Sequence, residues 1–453
     1  MPQRKIISNG VSPVVTRFAP SPTGYLHAGN YRTAVFAYLF AKHSGGKFIV
    51  RIEDTDAARS KREYEENIFD ALAWLNLPAD ATYRQSEHRS RHRELLEKLI
   101  AADTAYVSKE TPQKPGDREE VIRFRNPGGS LTFSDVIHGD ITTDVTDLGD
   151  FIIARSLDEP VFHFAVVVDD ADEGVTHVIR GGDHISNTAR QLLISRALGF
   201  ATPTYAHLPL IMDSQHKKLG KRTGAKALTD YRLLGILPEA LLNYLAFLGW
   251  NPGDTREYMS RDELVEAFDL TRVQKGSAVF DEVKLFSVNQ HWMRKLSTDD
   301  FLTRGNLSSD SPEKLRKAVP LLQERARTYG EVQEMLDGEL SCLFSAPEPA
   351  RDQLLAKELP GRQAVAKSAL EGLLEAIKAL PGEVSAEEVK GVIMPLADEE
   401  EARGKGGRGA VLWPLRYALS GQERSPDPFT LISILGPEES LARIQKAIAI
   451  LEG

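Results

Sequence analysis

The sequence predicts an α/β fold in which a doubly wound parallel sheet is split by an inserted region and followed by a mostly α-helical C-terminal region. Two observations carry this prediction. Short apolar runs alternate with helical segments up to about residue 105 and again after residue 163, the order typical of a parallel sheet with helical crossovers. Past residue 230 the strand signal fades and leucines recur at helical spacing.

The first four elements follow one another at short intervals. A β-branched strand is predicted at 14–18, and it ends in a turn-rich stretch. Apolar residues three and four positions apart predict a helix at 30–43, before two glycines end the pattern. A second strand at 48–52 and a second helix at about 64–75 complete a strand, helix, strand, helix order.

Between about residues 103 and 160 this alternation fails, because prolines and glycines break up short extended pieces. We interpret the segment as an insertion. The alternation resumes with apolar runs at 164–168 and 175–179, which are typical of buried strands. A helix at about 188–198, closed by a glycine, follows them.

Composition indicates an ordinary folded chain of several domains. Its 453 residues correspond to about three domains of roughly 150 residues. With 42% apolar and 27% charged residues, the chain is neither intrinsically disordered nor collagen-like. The net charge of −9 makes the chain a poor generic binder of DNA or of anionic membranes, since non-specific binding there comes from neutralising phosphates with Lys and Arg. A local basic face could still bind one shaped RNA.

The cysteine content and the apolar runs bear on the compartment. Cys342 is the single cysteine, so the chain contains no internal disulfide framework and no cysteine-rich zinc cluster. No apolar run approaches the ~20 residues of a membrane span, and residues 1–10 lack the apolar core of a signal peptide. We therefore expect a cytoplasmic protein without a membrane partner.

The most informative segment, 17–30, runs off the first strand into the first helix and reads RFAPSPTGYLHAGN. It places small residues and His27 at a helix N-terminus. Unpaired backbone N–H groups and the positive end of the helix dipole attract phosphate at such a place, and His27 can donate to a phosphoryl oxygen. Taken alone, a capping or solvated histidine is the alternative interpretation.

A second segment, 216–222, reads HKKLGKR, and on composition alone it would be a solvated basic loop. Together the two segments resemble the HIGH and KMSKS motifs of class I aminoacyl-tRNA synthetases. Further motifs in their order resemble the glutamyl-tRNA synthetase family: RIEDTD at 51–56, VVDD at 167–170, HVIRGGDH at 177–184, FLGW at 247–250, AVFD at 278–281 and WPLR at 413–416. The resemblance covers nearly the whole chain.

The resemblance implies an ATP-dependent glutamate–tRNA ligase with a Rossmann-type catalytic domain. Such an enzyme forms glutamyl-adenylate, releases pyrophosphate and passes the acyl group to the terminal adenosine of its tRNA. The expected domains are residues 1–105 and 164–225 as the two halves of the catalytic domain, the second with the KMSKS-like loop, 106–163 as a connective insertion that binds the tRNA acceptor end, 226–300 as a stem-contact region, and 301–453 as a helical anticodon-binding region.

The resemblance also implies the site residues. The catalytic positions are His27, Lys218 and Lys221. The ATP-binding positions are Pro20, Ser21, His27, Gly29, Asn30, Lys218 and Lys221. The glutamate-binding positions are Arg17, Ala19, Ser21, Glu53, Phe162, Val166 and Arg180.

The residue types at these positions suit an amino-acid ligand. Glu53 follows the second strand, at the end where ligands of open α/β sheets bind, and its carboxylate suits the ammonium group of the substrate. The guanidinium groups of Arg17 and Arg180 are permanently charged, and each can donate two parallel hydrogen bonds to a carboxylate. The alternative is that each of the three forms a structural ion pair.

Three departures from the family pattern affect these expectations. Phe162 replaces the usual tyrosine, so a hydroxyl that could meet the substrate is lost, and Gly220 replaces the serine of the KMSKS loop. Ser108 and Thr111 lie near where zinc-binding cysteines would fall. We therefore expect no structural zinc and no protein-bound metal site, with Mg²⁺ required alongside ATP as substrate.

The implied partners are tRNA(Glu) and L-glutamate, without DNA, and a monomer is expected. Whether tRNA(Gln) is also charged stays open, and Arg403, Arg408 and Arg416 are equally candidates for RNA contact or for a solvated face. One alternative function is a tRNA-modifying glutamyl relative without an anticodon-binding domain, which roughly 150 additional C-terminal residues argue against. The other is a non-catalytic RNA-binding paralogue, whose mark would be loss of the two loops.

Overall fold

The computed structural model describes residues 13–111, 119–220, 226–355, 362–402 and 407–453. The chain divides into two compact units between Val288 and Asn289. The strands of the first unit are β1 (Val15–Phe18), β2 (Lys47–Ile52), β3 (Ala81–Arg84), β4 (Ala105–Lys109), β5 (Glu120–Phe124), β6 (Ser130–Asp135), β7 (Gly139–Asp144), β8 (Phe151–Ser156), β9 (Glu159–Pro160), β10 (His177–Gly181), β11 (Thr204–Leu208), β12 (Ile211–Met212) and β13 (Ala278–Val279). Its helices are α1 (Ala28–His43), α2 (Arg62–Trp74), α3 (Arg89–Ala101), α4 (Phe162–Asp172), α5 (Ile185–Leu198), α6 (Leu228–Leu233), α7 (Pro238–Ala246), α8 (Arg261–Ala267) and the first part of α9 (Glu282–Arg294).

The main sheet of the first unit has seven strands in the order β3-β2-β1-β10-β11-β6-β7. In this sheet the neighbouring strands β3, β2, β1, β10, β11 and β6 pair in parallel, and only β6 and β7 form an antiparallel hairpin. From β1 the chain continues outward through β2 and β3, and it returns later to place β10 on the other side of β1. The predicted doubly wound α/β fold is therefore confirmed, with its switch point between β1 and β10.

The segment between the two halves contributes to two sheets. Strands β4, β5, β8 and β9 form a separate antiparallel sheet. The β6–β7 hairpin instead joins the edge of the main sheet, where Asp135 of β6 is in register with Tyr205 of β11. This pairing joins residues far apart in the chain, so no local sequence pattern indicates it.

The apolar run 164–168 is helical, and its prediction as a strand is wrong. It lies inside α4, where Phe164 to Val168 are all buried. A helix covered on every side has no polar stripe, so its periodicity cannot be told from that of a buried strand. The consequence is that Asp169 and Asp170, which follow the run, lie on the last turns of a helix beside the sheet.

The turn between α1 and β2 depends on Gly46. A Cβ atom at this position would lie 2.1 Å from the carbonyl oxygen of Val14, so only glycine allows the chain to pass this close to the first strand. The backbone N–H of Lys47 then donates to the same carbonyl at 2.8 Å. Gly46, the second of the two glycines that end the predicted helix, thus also brings the start of β2 against β1.

The second unit is helical throughout its described ranges, which confirms the predicted α-helical C-terminal region. After the end of α9 it contains α10 (Thr298–Arg304), α11 (Pro312–Arg325), α12 (Tyr329–Asp337), α13 (Arg351–Leu354), α14 (Arg362–Lys378), α15 (Ala386–Ala402), α16 (Gly409–Ser420), α17 (Pro428–Leu435) and α18 (Pro437–Glu452). In α11, for example, Leu315, Val319 and Leu322 are buried at helical spacing. Among the described helices, none combines the length and the apolar character needed to cross a membrane.

Candidate active site

A cleft of about 660 Å³ opens at the carboxyl ends of β1, β2 and β10. This is the switch point of the sheet, where open α/β folds bind ligands. The residues that line it include the predicted site residues Arg17, Ala19, Pro20, Ser21, His27, Gly29, Asn30, Glu53, Phe162, Val166, Arg180 and Lys218. Lys221, the remaining predicted site residue, lies outside the described residues. The structure therefore brings together residues that are up to about 200 positions apart, while their individual roles stay predictions.

His27 caps the N-terminus of α1. Its Nδ1 accepts a hydrogen bond from the backbone N–H of Gly29 at 3.1 Å, and the backbone N–H of His27 donates to Oδ1 of Asn30 at 3.1 Å. The capping interpretation of His27 is therefore correct. Because Nδ1 accepts, the neutral ring carries its proton on Nε2, which is then the donor that His27 can offer to a ligand.

Gly29 is required by this cap. A Cβ atom at Gly29 would lie 2.9 Å from Cε1 and 3.0 Å from Nδ1 of His27, closer than the ring can tolerate. Any larger residue at this position would push the imidazole away from the helix N-terminus. Gly29 thus fixes His27 sterically, in addition to exposing the backbone.

Arg17 forms an ion pair within the protein. Its Nε lies 3.2 Å from Oδ1 of Asp170, and its side chain is only 5% exposed. The ion-pair interpretation of Arg17 is thus correct for this edge of the guanidinium. Since a guanidinium has five N–H donors and Arg17 also lines the cleft, the pair does not prevent contact with a ligand.

A buried group of charges, which we call the Arg51 cluster, lies behind the cleft and comprises Arg51, Glu53, Asp169, Asp170 and Glu173. The Arg51 side chain is fully buried, and its NH1 lies 2.8 Å from Asp170 and 2.7 Å from Glu173. Its NH2 lies 3.5 Å from Glu53. Sequence reasoning did not single out Arg51, although an arginine inside the apolar strand 48–52 was a signal that it needed buried partners.

The Arg51 cluster makes Glu53 an unusual carboxyl group. Burial raises the pKa of Glu53 to about 7, although the positive charges of Arg51 and Arg17 oppose the rise. The pKa of Asp170 is lowered, because Arg17 and Arg51 outweigh the effect of its burial. Burial also raises the pKa of Glu173 to about 7, so two carboxyl groups of the Arg51 cluster change charge near neutral pH, and of these two Glu53 lines the cleft.

Asp169 joins the Arg51 cluster to α3. Its Oδ1 lies 2.7 Å from Nε2 of His92, and Gln85 donates to its Oδ2 at 2.7 Å. All three side chains are buried. These partners come from a 3-10 turn and from α3, outside the sequence motifs, and they tie the end of α4 to α3.

Arg180 is held by neutral groups. Its Nε donates to Nε2 of His207 at 3.0 Å and its NH2 donates to Oγ1 of Thr188 at 2.8 Å. Within the described ranges no carboxylate lies at ion-pair distance from Arg180, so the ion-pair interpretation is wrong for this residue. Burial lowers its pKa to about 10, which still leaves it charged at neutral pH. A buried cation in this situation suits an anionic ligand.

Lys218 reaches the cleft from the segment that follows β12, where it forms an isolated β-bridge with Met212. Its Nζ lies 2.9 Å from Oδ2 of Asp183, and both side chains are partly exposed. Burial raises the pKa of Asp183, but the hydrogen bond from Lys218 and its charge outweigh this and hold the pKa below its usual value. Lys218 is therefore near the cleft in an exposed ion pair, which a phosphate could replace at small cost.

The structure shows the surroundings of two of the three departures from the family pattern, Phe162 and Gly220. The ring of Phe162 lies at the start of α4, with its centroid 5.7 Å from that of His184. At Gly220 an added Cβ would meet nothing within 4 Å, so a serine there would fit without displacing a neighbour. Across the described ranges no group of three His, Cys, Asp or Glu side chains could hold a metal ion.

Two family models match the chain. The catalytic domain of class I tRNA synthetases for glutamate and glutamine (E and Q) matches residues 13–120 and 113–287. An anticodon-binding domain matches residues 287–448. The chain belongs to the class I tRNA synthetases for glutamate and glutamine.

Curated relatives support this assignment over their full lengths. The chain is 39% identical to glutamate–tRNA ligase 1 of Mesorhizobium japonicum, with 96% of this chain and 99% of the relative covered. It is likewise 39% identical to glutamate–tRNA ligase 1 of Acidithiobacillus ferrooxidans, again with 96% and 99% covered. The similarity therefore includes the second unit as well as the first.

Solved structures of the family have the same fold. A glutamate tRNA ligase from Elizabethkingia meningosepticum, crystallised in complex with its amino acid, superposes with a TM-score of 0.84 at 33% identity, covering 97% of this chain and 100% of that one. The glutamate–tRNA synthetase of Elizabethkingia anophelis gives a TM-score of 0.80 at 32% identity, with the same coverage. The resemblance inferred from the motifs is confirmed.

The anticodon-binding match coincides with the second unit, which starts at Asn289. The basic residues proposed for RNA contact there have partners in the protein. Arg408 pairs with Asp398 at 2.5 Å, and the guanidinium of Arg416 lies 4.9 Å from the ring centroid of Trp413. Arg403 lies outside the described residues. Nothing in these contacts separates an RNA-binding face from a solvated one.

Proposed function

We propose that the chain attaches L-glutamate to tRNA(Glu) at the cleft between β1, β2 and β10, in two steps that consume ATP. The observation that carries this proposal is the charge pattern of the cleft, which offers Glu53 at one place and the buried cation Arg180 at another. An amino acid with a second carboxylate has the complementary charges. Membership of the glutamate–tRNA ligase family supports the same substrate.

In the first step, an oxygen of the glutamate α-carboxylate attacks the α-phosphorus of ATP. The new bond is a mixed anhydride, and the bond to pyrophosphate breaks. The attacking carboxylate is already ionised, so no general base is needed. Negative charge builds on the phosphoryl oxygens, and we assign their stabilisation to His27, the backbone at Gly29, Lys218 and Lys221.

In the second step, a hydroxyl of the terminal ribose of tRNA attacks the activated carbonyl, AMP leaves with the bonding pair, and the hydroxyl proton passes to the leaving phosphate or to water. The ester that forms is the product. Magnesium enters with the ATP phosphates in this proposal, because Mg²⁺ commonly takes phosphate and water ligands with few from the protein. The activity belongs to translation, so we propose a cytoplasmic protein, and we expect a monomer.

Aminoacylation of purified tRNA tests this proposal. Radiolabelled glutamate should become acid-precipitable with tRNA(Glu) only when ATP is present, while labelled glutamine should not. Periodate oxidation of the tRNA destroys the terminal diol and should abolish labelling. Labelling that survives periodate would instead indicate the tRNA-modifying alternative, and tRNA binding without any labelling would indicate the non-catalytic paralogue.

The match to an anticodon-binding domain argues against the tRNA-modifying alternative, which would lack that domain. The choice between tRNA(Glu) alone and both tRNA(Glu) and tRNA(Gln) is decided by the same assay. Parallel reactions with the two purified tRNAs, each with labelled glutamate, give the ratio of kcat/KM values directly.

A further inference from the structure

Three buried side chains in a row lead from the inserted segment to Arg180. Asp135 is the last residue of β6, His207 lies on β11 and Arg180 lies on β10. Strands β10 and β11 are parallel neighbours, and Arg180 and His207 are partners in their register. Their side chains therefore project from the same face of the sheet. Asp135 and His207 do not line the cleft, and the activity described above does not use them.

The hydrogen bonds determine which nitrogen of His207 carries the proton. The Nε–H of Arg180 can only donate, so Nε2 of His207, 3.0 Å away, must accept. The ring proton is then on Nδ1, which lies 2.7 Å from Oδ2 of Asp135. His207 is thus a neutral acceptor toward Arg180 and a donor toward Asp135.

Asp135 is held so that it can select this tautomer. Its Oδ2 also accepts from the backbone N–H of His207 at 3.0 Å, and its Oδ1 accepts from the backbone N–H groups of Ile137 and His138 at 2.9 Å each. Burial opposes the effect, but the hydrogen bond from the His207 side chain and those from the backbone of His138 and Ile137 hold the pKa of Asp135 below its usual value. Asp135 therefore stays a carboxylate, which can only accept from His207.

The guanidinium of Arg180 is fixed from two further sides. Its NH2 donates to Thr188 at 2.8 Å, and its central carbon lies 5.4 Å from the ring centroid of Tyr205. The Tyr205 ring lies nearly parallel to that of His207, with an interplanar angle of 7°. Within the described ranges no hydrogen bond engages NH1, so this group remains for a ligand in the cleft.

We propose that His207 is a positioning residue for glutamate recognition, with its tautomer set by Asp135, and that it orients the Arg180 guanidinium toward the side-chain carboxylate of the substrate. This inference rests on the proposed function of the cleft. It assigns a role in the amino-acid site to Asp135, a residue of the inserted segment that was expected to contact the tRNA acceptor end.

Two substitutions at His207 distinguish a role in orienting the Arg180 guanidinium from a role in packing alone. His207→Leu removes the acceptor and keeps an apolar side chain, so Arg180 loses a hydrogen bond that fixes its plane. His207→Gln keeps an oxygen at about the position of Nε2 and should still accept from Arg180. We expect the Kd for glutamate to rise roughly 10-fold or more in His207→Leu, the size typical of losing a hydrogen bond to a charged group. The Kd should stay within a few-fold of the parent in His207→Gln.

Asp135→Asn is the second variant, and it acts on the tautomer. The amide oxygen is expected at the position of Oδ1, which accepts from two backbone N–H groups, and the amide NH2 at the position of Oδ2, which accepts from one. From there the NH2 donates to Nδ1 of His207. The ring proton then moves to Nε2 and faces the Nε–H of Arg180, so two donors meet. The Kd for glutamate should rise as in His207→Leu. His177→Gln, on the same strand as Arg180 but away from the cleft, is the matched control and should match the parent.

The measurement is isothermal titration of each folded variant with glutamate and separately with ATP, followed by steady-state aminoacylation. A higher Kd and KM for glutamate in His207→Leu and Asp135→Asn, with ATP binding unchanged and recovery in His207→Gln, supports the proposal. Parental glutamate affinity in folded His207→Leu or Asp135→Asn, or an equal loss of ATP and glutamate affinity, overturns it. Because binding is measured without tRNA, a parent that binds glutamate but charges no tRNA would refute the proposed function and leave this result standing.

Discussion

The carboxylate of Glu53 lies 3.5 Å from the guanidinium of Arg51, and both side chains are almost completely buried. Arg51 also forms ion pairs with Asp170 and Glu173, so its single positive charge is shared among several carboxylates. Glu53 consequently receives only part of the compensation that its burial requires. This sharing explains why the pKa of Glu53 stays near 7 although an arginine is adjacent.

Glutamate binding should strengthen as the pH rises from 6 to 8. Below the raised pKa of about 7 Glu53 is protonated and neutral, so it cannot pair with the ammonium group of the substrate; above it, the charge is present. The KM for glutamate should therefore fall several-fold over this range, with a limit of about tenfold per pH unit for one titrating group. Steady-state aminoacylation at constant ionic strength measures this.

Glu53→Gln is the control for that titration. The variant should have a higher KM for glutamate at pH 8 and a clearly shallower profile than the parent between pH 6 and 8, where Glu173 of the Arg51 cluster still changes charge. A parent enzyme with a flat profile, or a variant that keeps the full slope, would show that another group is responsible.

The positions of the cleft residues could be predicted from the sequence, because motifs at strand ends and helix starts meet at one edge of a parallel sheet. The contacts that tune them could not. Arg51 and Asp169 act through partners on α3 and α4, and Asp135 reaches His207 through the pairing of β6 with β11. These contacts depend on pairings between segments that are distant in the sequence. The wrong strand prediction at 164–168 shows that a short apolar run alone does not distinguish a buried helix from a buried strand.

Gly29→Ala should slow adenylate formation by roughly 10²-fold, the size seen when one transition-state donor is lost. The added Cβ would lie 2.9 Å from Cε1 of His27 and would displace the ring from its cap. Single-turnover formation of glutamyl-tRNA with saturating substrates measures the loss.

Gly372→Ala is the matched control for Gly29→Ala, since an added Cβ in the middle of α14 meets nothing within 4 Å. This variant should keep its activity and gain up to about 1 kcal/mol in the free energy of unfolding. An active Gly29→Ala protein would mean that His27 does not need its observed position.

Lys221→Ala should also slow adenylate formation by roughly 10²-fold or more, because the lysine is assigned to the charge that develops on the phosphoryl oxygens. The prediction rests on the resemblance of 218–222 to the family loop, as Lys221 lies outside the described residues. Pyrophosphate release in a single turnover, with thermal unfolding as the check on folding, tests it. A folded variant with the parental rate would remove Lys221 from the mechanism.

Metal analysis of tag-free protein should find far less than one zinc per chain. The single cysteine, Cys342, is buried, and burial raises the pKa of its thiol to about 11, so a thiolate ligand is unfavourable there. Removal of Mg²⁺ with EDTA should stop aminoacylation, and adding Mg²⁺ back should restore it fully. Stoichiometric zinc, or activity that returns only with zinc, would contradict this expectation.

Arg180→Gln should lower kcat/KM for glutamate on the order of 10²-fold, as expected when one partner of a buried, hydrogen-bonded charge pair is removed. Glutamate and glutamine are nearly the same size, so the choice between them depends on a fixed positive charge at the side-chain carboxylate. A guanidinium has no acceptor and would face the amide nitrogen of glutamine donor to donor. In the variant the difference between the kcat/KM values for glutamate and glutamine should become smaller.

The same variant should leave the KM for ATP and the thermal stability close to parental values. The glutamine side chain can still donate to His207 or Thr188, and the cost of burying a charge disappears. Arg196→Gln, an exposed arginine on α5, is the matched control and should behave as the parent. Because Phe162 offers no hydroxyl, few other groups can discriminate glutamate from glutamine. An unchanged ratio of glutamate to glutamine charging in Arg180→Gln would therefore show that Arg180 is structural and that the side-chain carboxylate binds elsewhere in the cleft.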